Sequence, residues 1–301
     1  MYNPSKNKVK RVLAGACLLA TLWNCDIATD RLFDKKEDTE VSNIYEHDHK
    51  KPQNLIITMA GYGDPYYQDL AETVGRLLNP TDLLSVDYGS EVNIEAIYAQ
   101  TLQYIKTNNA KDISLYGVSM GGLVAIELGA KLINSGVNVS TIYLDSTPIG
   151  LESTTNKSRA GAVAVELVPF GRITRFIGEI SIKLVEQHDG SFADKWIYAW
   201  HKSGSVPNSL IVSQSEFLRK GVSPEDVALI NNGNVKIVYL RTNEATDDQM
   251  VNVDFSSNEL DALFANYTVL TGDTGHAGTT HKEAEVAEML AQYRALSELS
   301  K

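Results

Sequence analysis

The chain has 301 residues, 43% of them hydrophobic, and a formal net charge of −11 from 38 acidic and 27 basic side chains. Four of the basic residues, Lys6, Lys8, Lys10 and Arg11, stand together at the start, so the rest is more acidic still and would repel nucleic acid at long range. The only cysteines, Cys17 and Cys25, also lie in this opening stretch, which leaves the body without a disulfide or a thiolate metal site.

A basic head followed by the apolar run from Val12 to Trp23 is too short to span a bilayer, which takes about 20 residues, but falls within the roughly 7–15 apolar residues of a secretory signal. Residues 1–25 are expected to be a signal peptide or a membrane or lipid anchor. The protein is then exported, and is extracellular, at the cell surface or membrane-anchored. No clean Ala-x-Ala cleavage site follows. Leu22-Trp-Asn-Cys25 is a poor match to a bacterial lipobox, with bulky residues where small ones are expected, so Cys25 is a lipidation candidate on its position alone. Residues 26–51 are polar and charged, with no sustained helix or strand period, and read as a flexible tether. Its cluster Glu46-His-Asp-His49 has no second set of ligands beside it, and no metal or cofactor is expected.

The body, residues 52–301, is about 250 residues long, enough for one large domain. Leu55 to Met59 is a short apolar run of buried-strand type, and Asp64-Pro65 reads as a helix cap with proline at the first helical position. Leu70, Val74, Leu77 and Leu78 keep helical spacing after it. Leu83 to Val86 is the next strand, followed by a helix with Ile94, Ile97, Tyr98 and Ile105 on one face. The third strand, from Ile113, ends in Gly117-Val-Ser119-Met-Gly121-Gly122, and a small-residue helix pattern runs on from Leu123 to Ala130. A serine at the apex of such a turn is lifted off the sheet edge, and glycines flank it because side chains would collide with strand and helix. Met120 opens the helix with its N–H free, and a free N–H there stabilises negative charge developing beside it.

Val139 to Leu144, Val235 to Leu240 and Tyr267 to Leu270 supply three more strands. A last helix is expected from about His281 to Leu299, with Thr280-x-x-Glu283 as its capping box. Apolar strands alternating with amphipathic helices point to an α/β fold, a doubly wound, mostly parallel sheet of about six strands with helices on both faces. Functional groups then gather at the carboxyl ends of the strands. Between Asp145 and Val235 lie about 90 residues, too many for a plain crossover. Residues 161–170, 173–187 and 192–202 of this insert read as helices, the last carrying Trp196 and Trp200 one turn apart.

Ser119 needs a base, and His276 stands in the small-residue loop after the last strand, where an imidazole can accept and return a proton. His281 is the rival, more exposed on the helix, while His188 and His201 fall in the insert. The imidazole needs a carboxylate. After the fifth strand Asp248 is chosen; Asp145, at the end of the fourth, is the geometric rival, and Glu244 and Asp247 are near enough to substitute. A second oxyanion N–H is assigned to Tyr62, in the loop Gly61-Tyr62-Gly63 after the first strand.

From Asn54 to Leu299 these residues resemble the α/β-hydrolase superfamily in its esterase and lipase-like part. Gly117-Val-Ser-Met-Gly121 is similar to its nucleophile elbow, Asp248-Gln-Met-Val251 to its acid turn, Gly275-His276 to its histidine loop, and Ala60-Gly61-Tyr62 stands where the family commonly has His-Gly-x. The resemblance implies a sheet order of 2-1-3-4-5-6 for the six strands and a helical cap over about residues 147–215. It departs at Ala60, which replaces the usual histidine, and in having no clear pair of antiparallel strands before Leu55. The chemistry implied is a serine hydrolase, with Ser119 as nucleophile, His276 as proton shuttle, Asp248 orienting it, and the amides of Met120 and Tyr62 holding the oxyanion. The substrate is a small-molecule acyl compound, apolar or lipid if the insert's tryptophans line the pocket. Acyl transfer to another acceptor uses the same residues, and a non-catalytic surface binding protein on this scaffold is the alternative of another class.

Overall fold

Each of the six runs from Leu55 onward expected to be strands is a strand in the computed structural model, which describes residues 38–46, 54–62, 67–156, 158–159, 208–244 and 248–299. Nearly all of them belong to one compact unit. The strands are β1 (Glu40–Glu46), β2 (Asn54–Met59), β3 (Asp82–Asp87), β4 (Asp112–Val118), β5 (Val139–Asp145), β6 (Lys236–Thr242) and β7 (Tyr267–Gly272). They form one sheet in the order β1-β3-β2-β4-β5-β6-β7, parallel except where β1 runs antiparallel to β3. Without β1 the order is the expected 2-1-3-4-5-6.

β1 is a seventh strand, found where composition suggested a tether. Its sequence Glu-Val-Ser-Asn-Ile-Tyr-Glu lacks a clean alternation, as suits an edge strand that needs only one side packed. Ile44 packs against the core. Its start is stitched to a helix by polar bonds: Val41 N–H donates to Gln100 Oε1 at 2.9 Å, and Gln100 Nε2 donates to Thr39 O at 2.9 Å.

The helices, in chain order, are α1 (Tyr67–Leu78), α2 (Ile94–Asn108), α3 (Met120–Asn134), α4 (Asn208–Lys220), α5 (Pro224–Asn232), α6 (Val253–Leu263), α7 (Gly278–His281) and α8 (Glu283–Leu299). Several starts follow from side-chain caps: Asn93, Ser223 and Asn252 accept from the N–H groups of Ala96, Asp226 and Phe255, and Pro224 opens α5. The Asp64-Pro65 cap lies outside the described residues. α1 and α8 pack together on one face of the sheet, where Leu70 and Val74 meet Ile56 and Leu83, and Val286, Met289 and Leu290 meet Val238 and Leu240. Each such side chain, fully buried, contributes roughly 1.5–3 kcal/mol. On the opposite face α3 packs against β4 and β5 and between α2 and α5. It is apolar or small nearly all round and correspondingly buried along most of its length.

The end of the chain differs from the expected single helix. α7 stops at Lys282, whose φ of −140° and ψ of 59° break the helical path, and α8 begins at Glu283. Thr280 Oγ1 donates to Ala277 O at 2.8 Å instead of forming the expected capping box. The insert helices expected over 161–170, 173–187 and 192–202, with both tryptophans, lie outside the described residues, as does the leader with Cys17 and Cys25.

Candidate active site

β4 ends at Val118 and α3 begins at Met120, so the chain turns from strand to helix over one residue, Ser119, held at φ 51° and ψ −126°. Six non-glycine residues have positive φ among those described. Three are Asn79, Asn109 and Asn234, a residue type that tolerates this region. The others are Ser119, Ser146 and Ala277, which follow β4, β5 and β7 on the carboxyl edge of the sheet. Such backbone costs about 1–3 kcal/mol per residue and persists only where its surroundings over-determine it. At Ser119 they do: its N–H donates to Asp145 O at 2.8 Å, and its carbonyl accepts from Gly122 N–H at 3.0 Å. A Cβ at Gly117 would overlap the backbone of Gly121 and Gly122, and one at Gly121 would overlap the carbonyls of Met59 and Ala60. The end of β2, the turn and the first helical turn are therefore in backbone contact.

His276 lies in the loop between β7 and α7, with Nδ1 3.0 Å from Asp248 Oδ2. The Asp248 side chain is fully buried. Its other oxygen accepts from Met250 N–H at 2.9 Å and Val251 N–H at 2.8 Å. The turn is clamped in place by the segment after β5: Thr155 N–H donates to Met250 O at 3.0 Å and Asn252 N–H to Ser153 O at 2.8 Å. An ionised carboxylate only accepts, so Nδ1 carries the proton and Nε2 is left as the acceptor. Ser119 Oγ makes no capping bond to its own helix, and among the described residues none to His276; a serine–imidazole bond is commonly long until substrate closes it.

The rivals stand elsewhere. Glu244 is exposed and Asp247 lies outside the described residues. His281 is the exposed last residue of α7, and His188 and His201 are outside the described residues. Asp145 pairs with Thr279 and Ser146 rather than the imidazole. Its Oδ2 accepts from Thr279 N–H at 2.9 Å and Thr279 Oγ1 at 2.6 Å, and its Oδ1 lies 3.2 Å from Ser146 Oγ, which accepts from Ala277 N–H at 3.2 Å. Burial pushes the Asp145 carboxyl up from its ordinary value, against the opposing pull of the Thr279 bonds and the His276 imidazole. The carbonyl of this residue holds the serine turn and its carboxyl holds the histidine loop. Tyr116, beneath both, bonds to Thr279 Oγ1.

Met120 is the first residue of α3, where an N–H has no partner within the helix. Tyr62 follows Gly61 in the loop after β2. That loop lies against the serine: a Cβ at Gly61 would come 3.2 Å from Ser119 Cβ and 3.4 Å from Val118 O. Ala60, in place of the family's histidine, is buried, and its carbonyl accepts from Tyr88 OH at 3.1 Å. The Tyr62 phenol is 2.7 Å from Ser215 Oγ on α4, and burial raises it above its ordinary value. α4 was not among the expected elements, although Leu210, Ile211, Phe217 and Leu218 carry its helical spacing and are buried. Ser215, Ser146 and Thr279 carry no local signal of these roles, because the bonds that tie them to Tyr62, Gly275 and Tyr116 span 129 to 163 residues of chain. Among the described residues no cluster of three or more His, Cys, Asp or Glu is placed to hold a metal.

No family model matches the sequence, and no curated protein matches it. Solved structures do match the fold. A carboxylesterase structure from the ammonia-oxidizing thaumarchaeon Nitrososphaera gargenis shares 14% identity at a TM-score of 0.58, over 87% of this chain and 96% of that one. The enol-lactonase of Burkholderia xenovorans shares 13% at 0.57, over 85% and 96%. An esterase of Exiguobacterium antarcticum shares 15% at 0.55, over 85% and 94%. Likeness at such identity speaks of the backbone path and not of the activity. With its sheet order, its strand-to-helix serine turn and these neighbours, the chain has the fold of the α/β-hydrolase superfamily.

Proposed function

We propose that the protein is a serine hydrolase that cleaves a carboxylic ester or related acyl bond of a small-molecule substrate through an acyl-enzyme. The observation that carries this reading is the pairing of buried Asp248 with half-buried His276 at the same sheet edge as the strained Ser119 turn. Ser119 Oγ attacks the substrate carbonyl as His276 Nε2 takes its proton, and Asp248 steadies the imidazolium that forms. The carbonyl oxygen, now negative, is received by the amides of Met120 and Tyr62. Collapse breaks the bond to the leaving alcohol, which takes the proton back from His276. Water then attacks the acyl-serine by the same proton path and releases the acid. The solved neighbours named as a carboxylesterase, an esterase and an enol-lactonase support ester chemistry on this fold. Residues 1–25 would direct export.

The test is intact-mass labelling of the protein with a fluorophosphonate, with turnover of p-nitrophenyl esters of increasing acyl length alongside. A single adduct, absent in Ser119→Ala together with all turnover, is the expected result. Esterase activity retained in a folded Ser119→Ala protein, or no adduct on the folded wild type, would reject it.

A further inference from the structure

Tyr62 meets two parts of the molecule at once. Its backbone belongs to the loop that lies against Ser119, and its phenol reaches the other way, to α4. There Ser215 Oγ donates to Ile211 O at 3.0 Å, one helical turn back. With that proton committed, Ser215 accepts and Tyr62 OH donates across the 2.7 Å between them. Ser215 is fully buried, so its hydroxyl has no water as an alternative partner.

α4 is anchored independently of this bond. Ser213 Oγ accepts from Val92 N–H at 2.9 Å, in the loop after β3. Lys220 pairs with Glu127 of α3 at 2.6 Å. Just past the helix, Val222 N–H donates to Ile149 O at 3.0 Å, in the loop after β5. Three separate strand-end loops or helices thus hold α4 still, and the tyrosine side chain is a strut from it to the Gly61-Tyr62 peptide. That peptide needs a strut, because glycine restricts its own backbone least of all residues.

We propose that Ser215 is a positioning residue for the oxyanion site: through the Tyr62 phenol it fixes the Tyr62 amide against Ser119, where the developing negative charge must be received. The proposal rests on the serine-hydrolase reading above. Donors of this kind accelerate a reaction only when held in place beforehand, and a displacement of about 1 Å in such a site can cost on the order of a hundredfold.

The experiment compares Tyr62→Phe, Ser215→Ala, the double variant and Ser215→Thr, which keeps a hydroxyl. Steady-state ester hydrolysis is measured beside inhibition by an alkyl boronic acid, whose tetrahedral serine adduct places an oxygen in the oxyanion site, and by the carboxylate product. Each single removal is expected to lower kcat about tenfold with KM within about twofold, since the amide acts on the transition state more than on the bound ester. Boronate affinity should fall in parallel while product inhibition holds, with Tm lowered only by the few degrees that loss of one internal hydrogen bond costs. The double variant should be no worse than either single, because both remove one bond, and Ser215→Thr should retain kcat. A kcat within twofold of wild type in both singles, or losses that add in the double, would overturn the proposal. Failure of the underlying reading is seen separately: it is a folded Ser119→Ala protein that still turns over ester, whatever Ser215→Ala does.

Discussion

Replacing Asp248 with asparagine would alter the chemistry of the site while leaving its shape. The Met250 and Val251 N–H groups both donate to Oδ1, at 2.9 and 2.8 Å, so the asparagine amide oxygen must take that place. The reversed rotamer would set an NH2 against two buried donors, at about 1–3 kcal/mol for each one orphaned. The NH2 is therefore forced towards His276 Nδ1, which in the wild type lies 3.0 Å from Oδ2. Nδ1 must then accept, and the ring carries its proton on Nε2, where a base is needed. The same exchange in a serine protease triad lowers kcat about 10⁴-fold, which at 1.36 kcal/mol per decade is about 5 kcal/mol of transition-state stabilisation. Stability should change little, because the side chain keeps its volume and both turn hydrogen bonds. p-Nitrophenyl acetate hydrolysis and thermal unfolding of the purified variant read the two effects separately. An Asp248→Asn protein with kcat within about tenfold of wild type and an unchanged Tm would refute the assignment of Asp248 as the partner of a catalytic imidazole.

Two further variants probe how the site is built. Gly121→Ala drives a methyl group into the carbonyls of Met59 and Ala60 and should lower Tm by more than about 5 °C or abolish soluble protein; a wild-type melting curve would contradict the backbone contact. Asp145→Asn tests the buried carboxyl that joins the serine and histidine loops. Its pKa is raised in the folded state, chiefly by burial, so the folded protein holds that proton more readily than the unfolded chain. The stabilisation it contributes is full below the unfolded carboxyl's value and is lost as pH rises through the folded one. The Tm of the wild type relative to Asp145→Asn should therefore be highest at acid pH and decline as pH rises above the ordinary carboxyl value of about 4, and a difference that grows with pH would reverse the sign of the argument.

How far each element could be read from sequence depended on whether its cause was local. β2, β3, β4 and β6 are short runs rich in Leu, Ile and Val with nearly every position buried, and a strand covered on both faces must be apolar throughout; β5 and the edge strand β7 are less buried but keep enough apolar residues to be read. β1 escaped because an edge strand needs only Ile44 in the core and can carry charge elsewhere. The final helix was misread at its start because Thr280 and Glu283 have the spacing of a capping box, while the chain used Thr280 to bond back to Ala277 and broke at Lys282. α4 had the apolar spacing of a helix, but its place over the site follows from contacts with Tyr62, Val92, Glu127 and the loop after β5, which no stretch of neighbouring residues encodes.

The sequence by itself determined the alternation of strand and helix, the serine turn and the candidate loops, because burial period, glycine spacing and helix caps act over a few residues. Only the tertiary structure decided which carboxyl meets which group. Asp145 and Asp248 both follow strands on the same sheet edge and are chemically identical, yet Asp248 faces the imidazole while Asp145 is turned to the Thr279 backbone. That choice is made by which loops the sheet order brings together and by the donors already waiting there, which give each oxygen of both carboxyls a partner.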